Sequence, residues 1–116
     1  MCLLMVTCFL EYQIDPNKVD QFEKYGRVWI DLVNQMGGDH HGYLLPYEGA
    51  NNIAFASFSF PSLAAYEAYR YELNIREDCQ GALNEARDNG CIISYQRSFM
   101  KPVFKGFTEK ARIQSA

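Results

Sequence analysis

Two adjacent histidines, His40-His41, are the groups of this chain best placed to move protons near neutral pH. Neighbours on a strand point to opposite faces, so one at most reaches a given pocket, and a metal held by both would need a bulge. The plainer alternative puts one imidazole at a sheet edge in solvent and packs the other on the first helix, because no acidic partner to orient either is evident. Tyr12, Tyr43, Tyr66, Tyr69 and Tyr71, with the single tryptophan Trp29, supply aromatic surface. Such surface suits a flat organic ligand, or fills an ordinary core. Arg70 follows Tyr66 by one helical turn. Turned inward it could hold a carboxylate, phenolate or enolate; turned outward, the favoured placement, it pairs with Glu67. The candidate ligand-binding set is therefore His40, His41, Tyr43, Tyr66, Arg70 and Trp29, with no catalytic residue assigned. Glu11 and Arg97 are expected to form an ion pair across strands or across an interface.

Other chemistries find no support. The four cysteines, Cys2, Cys8, Cys79 and Cys91, include no CxxC or CxxH pair, so zinc is not expected. Cys8, Cys79 and Cys91 fall in apolar positions, where free cysteine behaves as a small hydrophobe. There is no glycine-rich phosphate loop, nucleophile elbow or carboxylate–histidine metal string, and no cofactor or metal is expected. The net charge is −3 with no Lys/Arg block, which argues against nucleic acid and anionic membranes as partners. The apolar run after Met1 is too short to span a bilayer and no basic residue precedes it, so it reads as a first strand rather than a signal peptide. The expected location is the cytoplasm.

These groups have to be positioned by a single domain, since the chain has 116 residues. Residues 3–14 read as a strand, apolar at every even position and largely apolar at the odd ones. Asp15-Pro16 is expected to cap and begin a helix whose apolar face carries Val19, Phe22, Gly26, Trp29 and Val33, ending at Gly37-Gly38. Residues 40–47 and 53–60 read as strands joined by a turn. Ser62 caps a second helix, which Asn74 interrupts or kinks and which resumes over residues 75–89 with Ile75, Cys79, Ala82, Leu83 and Ala86 inward. Residues 91–100 are the last strand, and the final stretch is a polar tail.

The order β-α-β-β-α-β defines an α+β, ferredoxin-like domain: a four-stranded antiparallel sheet with two helices on one face. The other face needs a cover. Met5, Phe9, Phe55, Tyr95 and Phe99 are assigned to it, and a second copy packing sheet against sheet is the simplest solution.

Several stretches carry a family likeness: residues 10–16 (LEYQIDP) and Lys18, Phe22, Tyr25 and Trp29, then Gly42-Tyr43, residues 52–57, and residues 60–70 (FPSLAAYEAYR). Over residues 3–105 the chain resembles NIPSNAP-family proteins, within the dimeric α/β-barrel superfamily. The domain is accordingly placed at residues 1–105 and the tail at 106–116. The resemblance implies a dimer with a cleft between each sheet and its helices. It implies no particular reaction, because members of that superfamily include quinone-forming monooxygenases, haem enzymes and proteins of no known activity. The expectation is a homodimer of unassigned role that binds a small apolar or aromatic ligand. The alternative is a cofactor-free monooxygenase or isomerase acting on an aromatic or polyketide-like substrate.

The cysteine reading gives a direct test. All four thiols should alkylate in denatured, non-reduced protein; a mass showing an intact Cys–Cys link would overturn it.

Overall fold

The alternation of the first strand makes it the centre of the sheet. The structure, a computed structural model, describes residues 5–103. The chain runs β1 (Val6–Ile14), α1 (Val19–Gln35), β2 (Asp39–Leu44), β3 (Ile53–Phe60), α2 (Leu63–Ile75), α3 (Glu77–Asn89) and β4 (Ile92–Met100). The strands form one antiparallel sheet in the order β2-β3-β1-β4, the ferredoxin-like arrangement with its second helical stretch divided in two. Cys8, Leu10, Tyr12 and Ile14 of β1 are buried under the helices with Phe22, Trp29, Tyr69 and Leu73. The tail from residue 106, Cys2 and the start of the expected first strand lie outside the described residues.

Local chemistry sets the boundaries. Asp15 does not cap α1; its Oδ1 accepts from the Asn17 N–H at 2.9 Å and closes a turn, and the helix starts three residues after Pro16, at Val19, without a side-chain cap. Strand β2 ends at Leu44 rather than residue 47, because Leu45 precedes Pro46, which has no N–H for the ladder. Ser62 caps α2 as expected, its Oγ accepting from the Ala65 N–H at 3.1 Å. The helical stretch breaks at Arg76, extended at φ −82° and ψ 131°, rather than at Asn74. Arg76 clamps the break by reaching Glu72, Asp78 and Gln35, which ties the junction to the end of α1. Ile75, expected inside, is exposed at that junction.

The register corrects the assignment of the sheet faces. Tyr12 stands opposite Tyr95 and Cys8 opposite Phe99, so Tyr95 and Phe99 lie on the helix side, not on the helix-free face. Arg97 is opposite Leu10 while Glu11 is opposite Gln96, so Glu11 and Arg97 sit on opposite faces and form no pair. The helix-free face keeps Phe9 and Phe55, their rings 5.7 Å apart, with Ser57 and Ser98 opposite Phe9 and Glu11 and Leu44 opposite Phe55. Thr7 and Ser59 share a hydrogen bond of 2.6 Å on that face.

Candidate functional site

Between the sheet and the three helices lies a cavity of about 390 Å³. Leu10 and Tyr12 of β1, Phe58 of β3, and His40 and Tyr43 of β2 face it from the sheet. Trp29 and Tyr25 of α1, and Tyr66, Tyr69 and Arg70 of α2, face it from the helices. Tyr95 and Arg97, exposed on edge strand β4, stand at its open side.

A bulge aims the histidines. The register of β2 shifts between His40 and Gly42, where glycine takes φ +109°, a value L side chains rarely adopt. The extra residue leaves His40 and Tyr43 both inward and turns His41 to the opposite face. There the exposed His41 shares a hydrogen bond of 2.7 Å between its Nε2 and Ser59 Oγ. The His40 ring stacks on Tyr43 at 5.0 Å and on Phe58 at 5.3 Å. Its backbone N–H donates to Asn34 Oδ1 at 2.9 Å, anchoring the strand to α1. Gly26 lets α1 lie against the Tyr43 ring, since a Cβ there would stand 3.0 Å from Cδ1.

One hydrogen bond fixes the protonation of His40. The Gly42 N–H donates to His40 Nδ1 at 2.9 Å, so Nδ1 keeps its lone pair and the neutral ring carries its proton on Nε2. That Nε2–H is buried and has no partner among the described residues. The Trp29 Nε1–H, on a residue 5% exposed, is likewise buried and unpartnered. Burial, then the neighbouring His41, lowers the His40 pKa to about 4.

Burial also favours the neutral, protonated form of the enclosed tyrosines and of Cys8. Tyr12, Tyr25, Tyr43 and Tyr69 are all raised, chiefly by desolvation. Cys8 is pushed up to about 11 by burial against the pull of Arg97 and Arg70. The Arg97 guanidinium lies 5.4 Å from the Tyr95 ring centroid, an aromatic contact rather than an ion pair. The lining therefore offers donors and flat apolar surface. Among the described residues, no three metal-ligating side chains gather into a site.

The structure thus brings together His40, Tyr43, Tyr66, Arg70 and Trp29 and sets His41 apart. Arg70 faces the cavity rather than pairing outward with Glu67. Sequence reasoning missed Arg97, Tyr95 and Tyr25. The signal for two of them was present: Tyr95, Arg97 and Phe99 alternate along β4 and must share a face. Which face they share depended on a pairing with β1 across the whole chain.

A four-stranded sheet with helices on one face defines a ferredoxin-like protein, here with a cavity between the two layers. The NIPSNAP family matches residues 8–104, and the chain belongs to that family. Solved structures agree on the fold. A NIPSNAP-like domain protein from Burkholderia xenovorans is 19% identical, with TM-score 0.71 over 90% of this chain and 88% of its own. A NIPSNAP family protein of unknown function from Agrobacterium tumefaciens is 21% identical, with TM-score 0.73 over 85% and 88%. A protein provisionally assigned as an antibiotic biosynthesis monooxygenase from Nitrosomonas europaea superposes with TM-score 0.67 at 8% identity, over 90% and 95%. No curated protein matches the chain. Among the described residues, no helix is long and apolar enough to cross a membrane.

The state of His40 predicts a pH dependence. Above its ordinary pKa of 6.5 the ring is neutral in folded and unfolded chains alike. Between pH 6.5 and about 4 the unfolded chain takes up a proton that the folded chain refuses, so stability falls across that window and the loss levels off below it. Calorimetry from pH 7 to pH 4 on the wild type and His40→Gln should show a steeper decline in the wild type; parallel curves would overturn the assignment.

Proposed function

We propose that this protein binds a small planar organic molecule carrying a hydrogen-bond acceptor in the cavity between its sheet and helices. The observation that carries this reading is the pair of buried N–H groups, Trp29 Nε1 and His40 Nε2, which belong to residues of the cavity wall and find no acceptor among the described residues. A buried unsatisfied donor costs about 1–3 kcal/mol, and a ligand carbonyl or similar oxygen offsets that cost. The aromatic walls supply flat contact surface.

The arrangement binds and polarises more readily than it takes protons. A cofactor-free oxygenase or isomerase needs a base at its substrate. The His40 lone pair is occupied by the Gly42 N–H, and burial raises Tyr12, Tyr25, Tyr43, Tyr69 and Cys8. Binding is therefore the first reading. Catalysis here would rest on donors aimed at a developing negative oxygen.

We also propose that the protein acts as a homodimer through its helix-free sheet face. The Phe9–Phe55 contact forms a half-exposed apolar centre there, and Ser57 opposite Phe9 is small enough for a second sheet to approach closely. A standard interface buries about 800 Å² per partner.

Two measurements test these readings. Trp29 is the only tryptophan, so its indole N–H gives a single resonance in a nitrogen-15 spectrum. Adding 9-fluorenone, a flat neutral ketone, should shift that resonance, and His40→Leu should weaken binding about fivefold. Shifts confined to surface amides would refute the cavity reading. Light scattering after size exclusion at micromolar concentration should give twice the 13.4 kDa protomer, with Phe9→Asp and Phe55→Asp each moving the mass downward. A wild-type mass at the protomer value would refute the dimer.

A further inference from the structure

The cavity carries charge of one sign. Arg70 of α2, Arg87 of α3 and Arg97 of β4 line it, and among the described residues no aspartate or glutamate does. Yet the chain as a whole has 14 acidic residues against 11 basic ones. The ion pairs of the described residues lie elsewhere and engage Lys24, Arg27 and Arg76. Arg87 donates instead to the neutral Asn84 Oδ1 at 2.6 Å. Arg97 rests near the Tyr95 ring. Arg70 and Arg97 both act electrostatically on Tyr66, and all three residues belong to the lining. Unopposed positive groups around an aromatic concavity concentrate anions there, and the guanidinium fork matches a carboxylate.

The two polar ends of the cavity lie on opposite edges of the sheet. His40 is on β2 and Arg97 on β4, the outermost strands in the order β2-β3-β1-β4. Three interstrand spacings separate them, about 14 Å. From this juxtaposition, we infer that the ligand is an elongated conjugated carboxylic acid. Its carboxylate lies between Arg70 and Arg97 at the β4 side, and its carbonyl-type acceptor meets Trp29 and His40 at the β2 side. The inference rests on the cavity reading above and adds to it a charge and an orientation.

A matched pair of probes separates the two. 6-Acetylnaphthalene-2-carboxylate and the neutral 6-acetylnaphthalene-2-carboxamide share a flat ring system with a ketone at the far end, and each is titrated into the full chain at low salt while the Trp29 indole resonance is followed. The acid should bind about tenfold more tightly than the amide, and the gap should shrink as salt is raised. Arg97→Gln, an exposed edge-strand change, should cut the preference to about threefold, and Arg70→Gln with Arg97→Gln should abolish it. The surface variant Lys24→Gln should leave it intact. Equal affinity for acid and amide in the wild type would overturn the carboxylate while leaving the cavity reading standing. An acid preference that survives the double change would do the same, because the anion would then be held elsewhere. If neither compound moved the Trp29 resonance, the cavity reading and this one would fall together.

Discussion

Strand β1 pairs on both sides, with Leu10 opposite Ala56 of β3 and opposite Arg97 of β4. Because side chains alternate, a one-residue slip in either pairing would exchange the faces of every residue on the neighbouring strand. The contents of the cavity follow from this register. Tyr95 and Arg97 reach it because they stand opposite Tyr12 and Leu10, and Phe99 packs edge-on against Tyr66 at 4.9 Å for the same reason. The register is held in turn by burial: Cys8, Leu10, Tyr12 and Ile14 are almost fully enclosed, whereas Glu11 and Gln13 on the opposite face meet solvent. Slipping β1 would put the two polar side chains into the core and expose the four apolar ones, a cost of several kcal/mol at about 1.5–3 kcal/mol per large apolar side chain.

Local signals in the sequence carried the elements, and non-local pairing carried the site. Ser62 followed by an apolar helix was readable as a cap because the hydrogen bond it makes spans only three residues. The order of strands and helices was readable for the same reason. The faces of β4 were not, since the partners Tyr12 and Tyr95 are 83 positions apart and no short turn fixes their register. Arg70 misled differently. Glu67 stands one turn before it, a spacing that stabilises exposed helices, but tertiary packing turned the guanidinium to the cavity. An i,i+3 pair is worth a few tenths of a kcal/mol, too little to decide a side chain's direction against its packing.

The expectation that only one of two adjacent strand histidines could enter a pocket was sound in outcome, and the bulge supplies the detail the sequence lacked. Regular alternation alone would have separated His40 from His41, but it would not have placed His40 and Tyr43, three positions apart, on one face. The extra residue does so, and it also brings the Gly42 N–H onto His40 Nδ1. Backbone geometry therefore selects the tautomer, and the tautomer decides the chemistry. With Nδ1 engaged, the ring offers a donor and not a base.

This combination has an energetic cost that a purely structural core would avoid. Two unpartnered buried donors at about 1–3 kcal/mol each are a large share of a domain's usual net stability of 5–15 kcal/mol. Placing leucine at His40 and phenylalanine at Trp29 would remove that cost, and small domains readily accept such apolar replacements. Three like charges around one concavity add repulsion in the ligand-free protein, which scattering those arginines toward the many surface carboxylates would relieve. The aromatic packing that holds the walls, His40 on Tyr43 and Phe58, and Phe60 on Tyr69 at 5.0 Å, keeps the donors fixed despite the cost. Under the proposed binding function, rigid donors would lose little entropy on meeting an acceptor, so stability withheld from the empty fold would be recovered on binding.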